Sequence, residues 1–240
     1  MIKGIQTAAS GMLPHLKKQE ATANNLANVS TPGFKRDGVF LKVLSEAQKK
    51  AIATQSDWEE PMLDEIYVDF QQGKLDYTGD SLNVAIEGDG FFVVSTPYGE
   101  RYTRNGSFRL DGEGFLISGD GDKLLTDGGP VNIVGNDIKI DESGRISVDG
   151  NQLGQLLVVD FPKPYQLERV EGGVFAPKNE NVVSIVASNY FIRQGFVERS
   201  NVEAVYEMTE MIDSFRDYEG GQKAIQIQDQ SLEKLFEKLG

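Results

Sequence analysis

The stretch Leu82-Asn83-Val84-Ala85-Ile86-Glu87-Gly88-Asp89-Gly90-Phe91-Phe92-Val93-Val94 places two short apolar runs on either side of an acidic, glycine-rich turn. Short runs of β-branched and aromatic residues that are bounded by turn residues predict β-strands. Asp-Gly supplies the positive φ angles that tight hairpins need. This stretch therefore predicts paired strands inside a β domain.

The same pattern continues over residues 82–187. Asp-Gly recurs five times between Asp89 and Gly150, and Asn105-Gly106 adds a further turn dipeptide. Frequent turns between short apolar runs are typical of an all-β domain. The remaining predicted strands cover residues 115–117, 138–140, 146–148, 156–159 and 182–186. The predicted fold class is a mainly β central domain with many hairpins, flanked by N- and C-terminal α-helices that pack as a coiled-coil-like layer.

At the N-terminus, mostly apolar residues recur in alternating steps of three and four, which predicts a helix with an a/d seam. Pro14 removes one helical hydrogen bond and crowds the preceding turn, so we expect a kink or break near Ser10-Gly11. The helix should end before Ser30-Thr31-Pro32-Gly33, because the residue before a proline disfavours the α conformation. The stripe consists of Ile2, Ile5, Ala9, Met12, Leu16, Gln19, Ala23 and Leu26.

The C-terminal end has a longer stripe of the same kind. Ser200 and Glu203 have the spacing of a reciprocal capping box, which predicts the start of this helix. Gly220-Gly221 lies within the pattern and costs about 1 kcal/mol per glycine, so the helix should be marginal without a partner. The d row is Met211, Tyr218, Ile225, Leu232 and Leu239, and the a row is Met208, Phe215, Gln222, Asp229 and Phe236.

Charge is distributed unevenly along a chain whose net charge is -13. Residues 1–36 carry five basic side chains and one acidic side chain, whereas residues 200–240 carry four basic and nine acidic ones. Opposite charges would favour contact between the two ends, although two ordinary solvated faces would give the same composition. The acidic total disfavours nucleic acid as a partner. The apolar runs are too short for membrane insertion.

The sequence offers little chemistry for an enzyme, and we predict no catalytic residue, no cofactor and no metal site. It contains no cysteine, and His15 is its one histidine, which excludes a histidine-rich zinc site within one chain and leaves a catalytic triad a single possible base. His15 should lie on a helix surface. Asp111-Gly112-Glu113-Gly114 and Gly119-Asp120-Gly121-Asp122 lack the spacing of an EF-hand. A secreted calcium-binding or adhesive β protein remains the alternative from another class.

Several segments resemble the flagellar rod and hook proteins. The first is Ala23-Asn24-Asn25-Leu26-Ala27-Asn28-Val29-Ser30-Thr31-Pro32-Gly33-Phe34-Lys35-Arg36, and the others cover residues 72–92, 102–108 and 194–202. They occur in order along nearly the whole chain. The residues that carry the family motif are Asn24, Asn25, Leu26, Ala27, Asn28, Thr31, Gly33, Phe34, Lys35, Ser200, Asn201 and Val202.

The resemblance implies the FlgF/FlgG family of basal-body rod proteins. The compact length and residues 207–212 favour the FlgF branch, of the proximal rod, over the FlgG branch, of the distal rod, with the hook protein third. It further implies a motility role as a structural subunit of the periplasmic rod, with other rod and hook-family subunits as partners. Export would use the flagellar type III apparatus without a cleaved signal peptide. The implied division is a helical assembly segment over 1–36, a connecting arm over 37–70, the β domain over 71–199 and a second helical segment over 200–240.

We expect the terminal segments to become fully ordered only when neighbouring subunits cover them, so that folding and polymerisation are coupled. The polar members of the stripes, Pro14 and the two glycines argue against a self-contained helical hairpin. The predicted assembly interface comprises Ile2, Ile5, Ala9, Met12, Leu16, Ala23, Leu26, Met208, Met211, Phe215, Tyr218, Ile225, Leu232 and Leu239.

Overall fold

The computed structural model describes residues 2–41, 64–179 and 181–239. Within these ranges the protein has two long α-helices and nineteen short strands, which confirms a mainly β protein with helical ends. The chain forms two compact units. The helical unit comprises Met1–Ala27, Asp37–Asp69 and Val202–Gly240, and the β unit comprises Asn28–Arg36 and Phe70–Asn201.

The β unit is built from antiparallel strands around one apolar core. Its strands are β3 Leu75–Tyr77, β4 Val84–Gly88, β5 Phe91–Thr96, β6 Gly99–Thr103, β7 Arg109–Leu110, β8 Leu116–Ile117, β9 Lys123–Thr126, β10 Gly129–Pro130, β11 Ile138–Ile140, β12 Arg145–Val148, β13 Asn151–Gln155, β14 Val158–Asp160, β15 Leu167–Arg169, β16 Phe175–Pro177, β17 Ile185–Val186, β18 Tyr190–Gln194 and β19 Phe196–Glu198. The largest sheet has the order β15-β16-β6-β5-β9-β8-β7, and β10, β14 and β17 pair at its side.

The core draws its side chains from the apolar runs that predicted the strands. Val84, Ile86, Phe92 and Val94 are all buried in the same cluster. Phe92 also meets Phe108 edge to face, with 5.4 Å between the ring centroids. Aromatic pairs of this geometry add to the stabilisation that burial itself provides.

The hairpin between β12 and β13 illustrates the turn chemistry that the sequence predicts. Val148 pairs with Asn151, so that Asp149 and Gly150 form a two-residue loop. Their φ angles are 50° and 85°, as a type I′ turn requires at both central positions. Here Asp-Gly does specify a tight hairpin.

The first helix, α1, runs without interruption from Ile2–Ala27 and contains Pro14. The helix therefore has no break near Ser10-Gly11, and that part of the prediction is wrong, whereas a kink there stays a prediction. Proline removes the hydrogen bond to the carbonyl four residues earlier, but the rest of a long helix can hold the conformation when it packs against a neighbour. The helix ends before Ser30, as predicted.

The second helix, α2, spans Ala204–Leu239. Ser200 lies four residues before its first residue, so the predicted capping box of Ser200 and Glu203 is wrong. The backbone N–H of Glu207 donates to the carbonyl of Glu203, which closes the first turn. None of the helical segments that the structure describes is long and apolar enough to cross a membrane.

The helical unit also contains two strands in the predicted connecting arm. Strand β1, Asp37–Leu41, pairs antiparallel with β2, Asp64–Val68, in the register Asp37 to Val68. Residues 42–63 of the predicted arm, which include Trp58 and Pro61, lie outside the described residues. The predicted division of the chain at residues 36, 70 and 199 stays a prediction.

Candidate assembly surfaces

The two helices pack against each other as an antiparallel pair within the helical unit. The Ser214 hydroxyl donates a hydrogen bond of 2.8 Å to the carbonyl of His15. Lys18 forms an ion pair with Glu210, and His15 Nδ1 lies 3.6 Å from Asp217 Oδ2. Later residues of α1 thus meet earlier residues of α2. Opposite charges face each other across the contact, as the charge of the two ends predicts.

Small and polar residues of α2 form this contact, which we call the seam. Glu207 and Ser214 are buried, and Gly221 meets α1 so closely that an added Cβ atom would lie 2.7 Å from Met12 Cγ. Met211 and Tyr218, from the predicted d row, are half-buried. At the seam, the two helices therefore approach closely without burying many large apolar side chains.

A separate face of α2 carries large apolar side chains into solvent. Val205, Met208, Ile212 and Phe215 are 73%, 51%, 53% and 49% exposed. With about 100° of rotation per residue, these four lie on one stripe, about 120° around the helix from the seam. We call them the outer stripe. Met208 and Phe215, which the heptad pattern assigns to the a row, thus do not face α1.

The buried face of α1 also differs from the predicted apolar stripe. Pro14, Ala21 and Asn25 are buried, whereas Leu16 and Ala23 of the predicted stripe are exposed. Met12 and Leu26 are half-buried, as is Ile225 of α2. Ile2, Ile5 and Ala9 belong to α1, and Leu232 and Leu239 belong to α2, but their side chains lie outside the described part of the structure. The prediction that these residues contact other subunits stays a prediction.

Asn25 joins three elements at the end of α1. Its amide nitrogen donates to the backbone carbonyl of Asp37 at 2.8 Å and to Glu207 Oε2 at 3.1 Å. Its side-chain oxygen accepts from the backbone N–H of Asp37 at 2.8 Å. Asn24 donates to the carboxylate of Asp37 at 2.9 Å. The paired asparagines of the motif therefore hold the start of β1, and Asn25 also holds the start of α2.

The turn that follows α1 packs within the β unit through Gly33 and Phe34. The Gly33 N–H donates to the carbonyl of Glu198 at 2.7 Å, and its φ is +69°. A Cβ atom at this position would lie 2.2 Å from the backbone nitrogen of Asn105, so no other residue fits here. Phe34 is buried, and the guanidinium carbon of Arg169 lies 4.0 Å from the centre of its ring.

Next to Phe34, a buried charge network centres on Glu198. Lys35 Nζ lies 2.5 Å from Glu198 Oε1, and Arg104 NH1 lies 3.4 Å from Glu198 Oε2. The backbone N–H of Gly73 donates to Glu198 Oε1 at 2.9 Å. The side chains of Lys35 and Glu198 are each only 1% exposed. Because removal of one partner would leave a buried charge uncompensated, the network fixes Lys35 firmly in place.

Asn201 of the C-terminal motif contacts the turn that follows α1 through the backbone of Arg36. Its side-chain oxygen accepts from the Arg36 N–H at 2.7 Å, and its amide nitrogen donates to the carbonyl of Gln71 at 3.1 Å. Val202 is buried, and Ser200 is half-buried. Glu198, Arg104 and Glu207 lie in the recognised segments 194–202, 102–108 and 207–212, but sequence reasoning gave none of them a role, because charged residues are ordinarily expected on the surface. The position of Glu198 within the segment 194–202 was the available signal.

The acidic turns serve the hairpins of the β unit. Asp111 Oδ1 accepts hydrogen bonds of 2.8 Å from the backbone N–H groups of Glu113 and Phe115. The hydrogen bond from Phe115 lowers the pKa of the Asp111 carboxyl, and burial raises it by less. The pKa of Asp111 therefore lies below its usual value. No group of three or more metal-binding side chains occurs among the residues that the structure describes.

Comparison with known proteins gives the same order of segments. Three family models match: the flagella basal body rod protein at residues 5–35, the flagellar hook protein FlgE/F/G D1 domain at residues 85–151, and the flagellar basal body rod FlgEFG protein C-terminal at residues 193–237. These matches cover α1, much of the β unit and α2. They define a rod and hook class of flagellar subunit.

Full-length relatives define the family more closely. The chain is 34% identical to the flagellar basal-body rod protein FlgG of Borreliella burgdorferi, with 97% of each chain covered. It is 30% identical to FlgG of Bacillus subtilis, with 98% of each chain covered. It is also 30% identical to FlgF of Rhizobium meliloti, with 100% of this chain and 99% of the relative covered. The chain belongs to the FlgF/FlgG family of flagellar basal-body rod proteins.

Proposed function

We propose that the protein is a structural subunit of the flagellar basal-body rod that polymerises through its helical unit. The observation that carries this proposal is the outer stripe, where Val205, Met208, Ile212 and Phe215 are each about half or more exposed. A contiguous exposed apolar stripe of this kind marks a surface that another protein covers. In a rod, that protein would be a neighbouring subunit.

The energetics of the helix pair support association with other subunits. Complete burial of one such apolar side chain contributes about 1.5–3 kcal/mol. At the seam, α2 buries the small side chain of Ser214 and approaches α1 closely at Gly221. Much of the apolar surface of α2 therefore remains available for contact with another subunit. Assembly would bury it and stabilise the helical unit by mass action. A contact between the outer stripe and a different surface of the next subunit does not close on itself, and it produces a helical polymer.

The partners that follow are further copies of this chain and other flagellar rod and hook-family subunits. We propose that the flagellar type III apparatus exports the subunit, and that it lies in the periplasmic part of the basal body. The basal-body names of the relatives support this proposal.

Within the rod we propose the proximal position, as in a FlgF-like subunit. The nearly complete coverage of the Rhizobium meliloti FlgF, over 246 residues, supports it. The distal position of a FlgG-like subunit is the second candidate, and the identity of 34% to the Borreliella burgdorferi FlgG favours it. Gold labelling of an epitope-tagged chain in isolated basal bodies distinguishes the two, because the proximal label should lie nearer the membrane end of the rod.

Substitution within the outer stripe tests the assembly proposal in cells. We expect Ile212→Asp to abolish swimming and incorporation into isolated basal bodies, because the stripe would then carry a charge that must be desolvated on assembly. The matched control is Val186→Asp in the β unit, where Val186 is 80% exposed. Circular dichroism of both purified variants verifies that they fold. Normal incorporation of a folded Ile212→Asp subunit would contradict the proposal.

A further inference from the structure

We infer that Asn25, together with Asp37 and Glu207, forms a register lock that fixes which residues of α1 lie opposite which residues of α2. This inference deepens the proposed function, because the alignment decides where the outer stripe lies relative to α1. Asn25 is 1% exposed and Glu207 is 0% exposed. Between them they connect the last turn of α1 with the first turn of α2.

The hydrogen bonding of Asn25 requires a neutral amide at this position. Its side-chain oxygen and nitrogen pair with both the N–H and the carbonyl of Asp37, as a neighbouring strand would. The second proton of the amide nitrogen is thus available for Glu207 Oε2 at 3.1 Å. An aspartate would lack both donors and would add a third carboxylate beside Asp37 and Glu207. The site is therefore matched to asparagine by both its shape and its charge.

The polar contacts of the seam tolerate a slide of one heptad. Such a slide, about 10 Å along the helix axis, would place Asp217 opposite Lys18 in place of Glu210, which preserves a cation–carboxylate pair. It would also place Ser214 near Thr22, and both side chains are small. The close approach of Gly221 to Met12 would be lost, because position 228 would then lie opposite Met12, but the two polar contacts discriminate poorly between the alignments.

The lock does not tolerate the same slide. Glu207 would move beyond Ala27, where α1 ends, and Asn25 would lose its bond to the carboxylate. Hydrogen bonds to charged groups contribute about 1.5–3 kcal/mol. A single buried polar residue is known to specify the register of packed helices in the same way. Asn25 is thus a positioning residue that acts through the alignment of the helices.

Disulfide formation in this cysteine-free chain reports the register directly. One variant carries His15→Cys and Ser214→Cys, at positions that are adjacent across the seam, since the Ser214 hydroxyl bonds to the His15 backbone carbonyl. A second carries Thr22→Cys and Ser214→Cys, which would face each other only after a slide of one heptad. Mild oxidation of the dilute chain, followed by mass spectrometry, gives the yield of the intrachain disulfide for each pair.

We expect the pair at 15 and 214 to dominate in the otherwise unchanged chain. Addition of Asn25→Ala should shift the ratio of the two yields toward the pair at 22 and 214 by about tenfold or more. Asn24→Ala is the matched control, since it removes the neighbouring amide, which donates to the Asp37 carboxylate, and leaves Asn25 and Glu207 unchanged. Glu207→Gln retains an acceptor for Asn25, so this conservative change should preserve the original ratio.

Two results would overturn the register lock. In the first, Asn25→Ala leaves the ratio unchanged, which would mean that the seam alone determines the alignment. In the second, Asn25→Ala abolishes both disulfides, which would mean that the cluster supports helix association without selecting a register. Neither result bears on incorporation of the Ile212→Asp subunit, so a failure of the lock and a failure of the assembly proposal can be distinguished.

Discussion

The β unit and the helical unit place their large apolar side chains in opposite ways. In the β unit, Phe92, Ile86 and Leu124 are almost completely buried in one core. In α2, Ile212 and Phe215 remain about half-exposed while Glu207 and Ser214 are buried against α1. The β unit thus buries its large apolar side chains within itself, whereas the helical unit leaves apolar surface exposed, as the proposed assembly with neighbouring subunits requires.

The largest expected effect comes from the same substitution made in both units. Phe92→Ala should lower the free energy of unfolding of the β unit by about 3–5 kcal/mol, because it leaves a cavity in a close-packed core. Phe215→Ala removes an exposed ring and should change the stability of the isolated subunit by less than about 0.5 kcal/mol. Urea denaturation followed by circular dichroism measures both. Equal losses would remove the contrast between the units.

Charge provides the second comparison. Glu198→Gln should cost about 3–5 kcal/mol, because Lys35 and Arg104 would be left buried with no opposing charge. Glu87→Gln breaks the exposed pair with Arg193 and should cost about 0–1 kcal/mol. The two urea midpoints, measured at the same pH and salt, give the difference. A loss at Glu198 no larger than that at Glu87 would show that burial adds nothing to this network.

The two adjacent glycines of α2 sharpen the description of the seam. Gly220 has no neighbouring atom within 4 Å of an added Cβ, so Gly220→Ala should stabilise the helix by about 1 kcal/mol. At Gly221 the added methyl group forces Met12 to move, and we expect Gly221→Ala to be about 1 kcal/mol less favourable than Gly220→Ala. Thermal unfolding monitored at the helical signal compares them. Equal effects would place Gly221 outside the seam.

The smallest expected effect concerns a single turn of the β unit. Burial raises the pKa of Asp141, but hydrogen bonds from Ser143 and Arg145 outweigh burial and lower it to about 2. Since the unfolded value is about 3.9, Asp141 contributes its full stability above about pH 4, and that contribution is lost as the pH falls through about 2. Asp141→Asn should therefore lower the melting temperature slightly at pH 7 and by clearly less at pH 2. An equal difference at both pH values would refute this assignment.

Much of the fold follows from local sequence. Strand β11, Ile138–Ile140, lies on the predicted residues, and Asp149-Gly150 forms the predicted tight turn. These features depend on alternation and on backbone preferences within a few residues. The existence of both helices follows in the same way from the spacing of apolar residues.

The faces of the helices could not be predicted by the same means. The heptad pattern follows apolar residues, and it therefore assigns Met208 and Phe215 to the contact between the helices. The contact instead uses Ser214 and Gly221, whose value lies in their small size. An apolar stripe in the sequence predicts a surface that packs against something, but it does not tell whether the partner is the same chain or another one.

The buried polar clusters depend on contacts that are distant in the sequence. Lys35 and Glu198 are separated by 163 positions, and Asn25 and Glu207 by 182. Neither pair produces a local pattern. The family motif identified Asn25 and Lys35 as important residues, but only the folded chain gives their partners.

In the proposed assembly, the outer stripe is exposed in the isolated subunit and covered in the assembled rod. The rate at which a maleimide labels Ile212→Cys measures this directly, because the chain has no other cysteine. Tyr98→Cys, at a β-unit position that is 80% exposed, controls for access of the reagent. We predict rapid labelling of Ile212→Cys in the purified subunit and at least about tenfold slower labelling in isolated basal bodies, relative to the control. Equal relative rates in the two states would contradict the account.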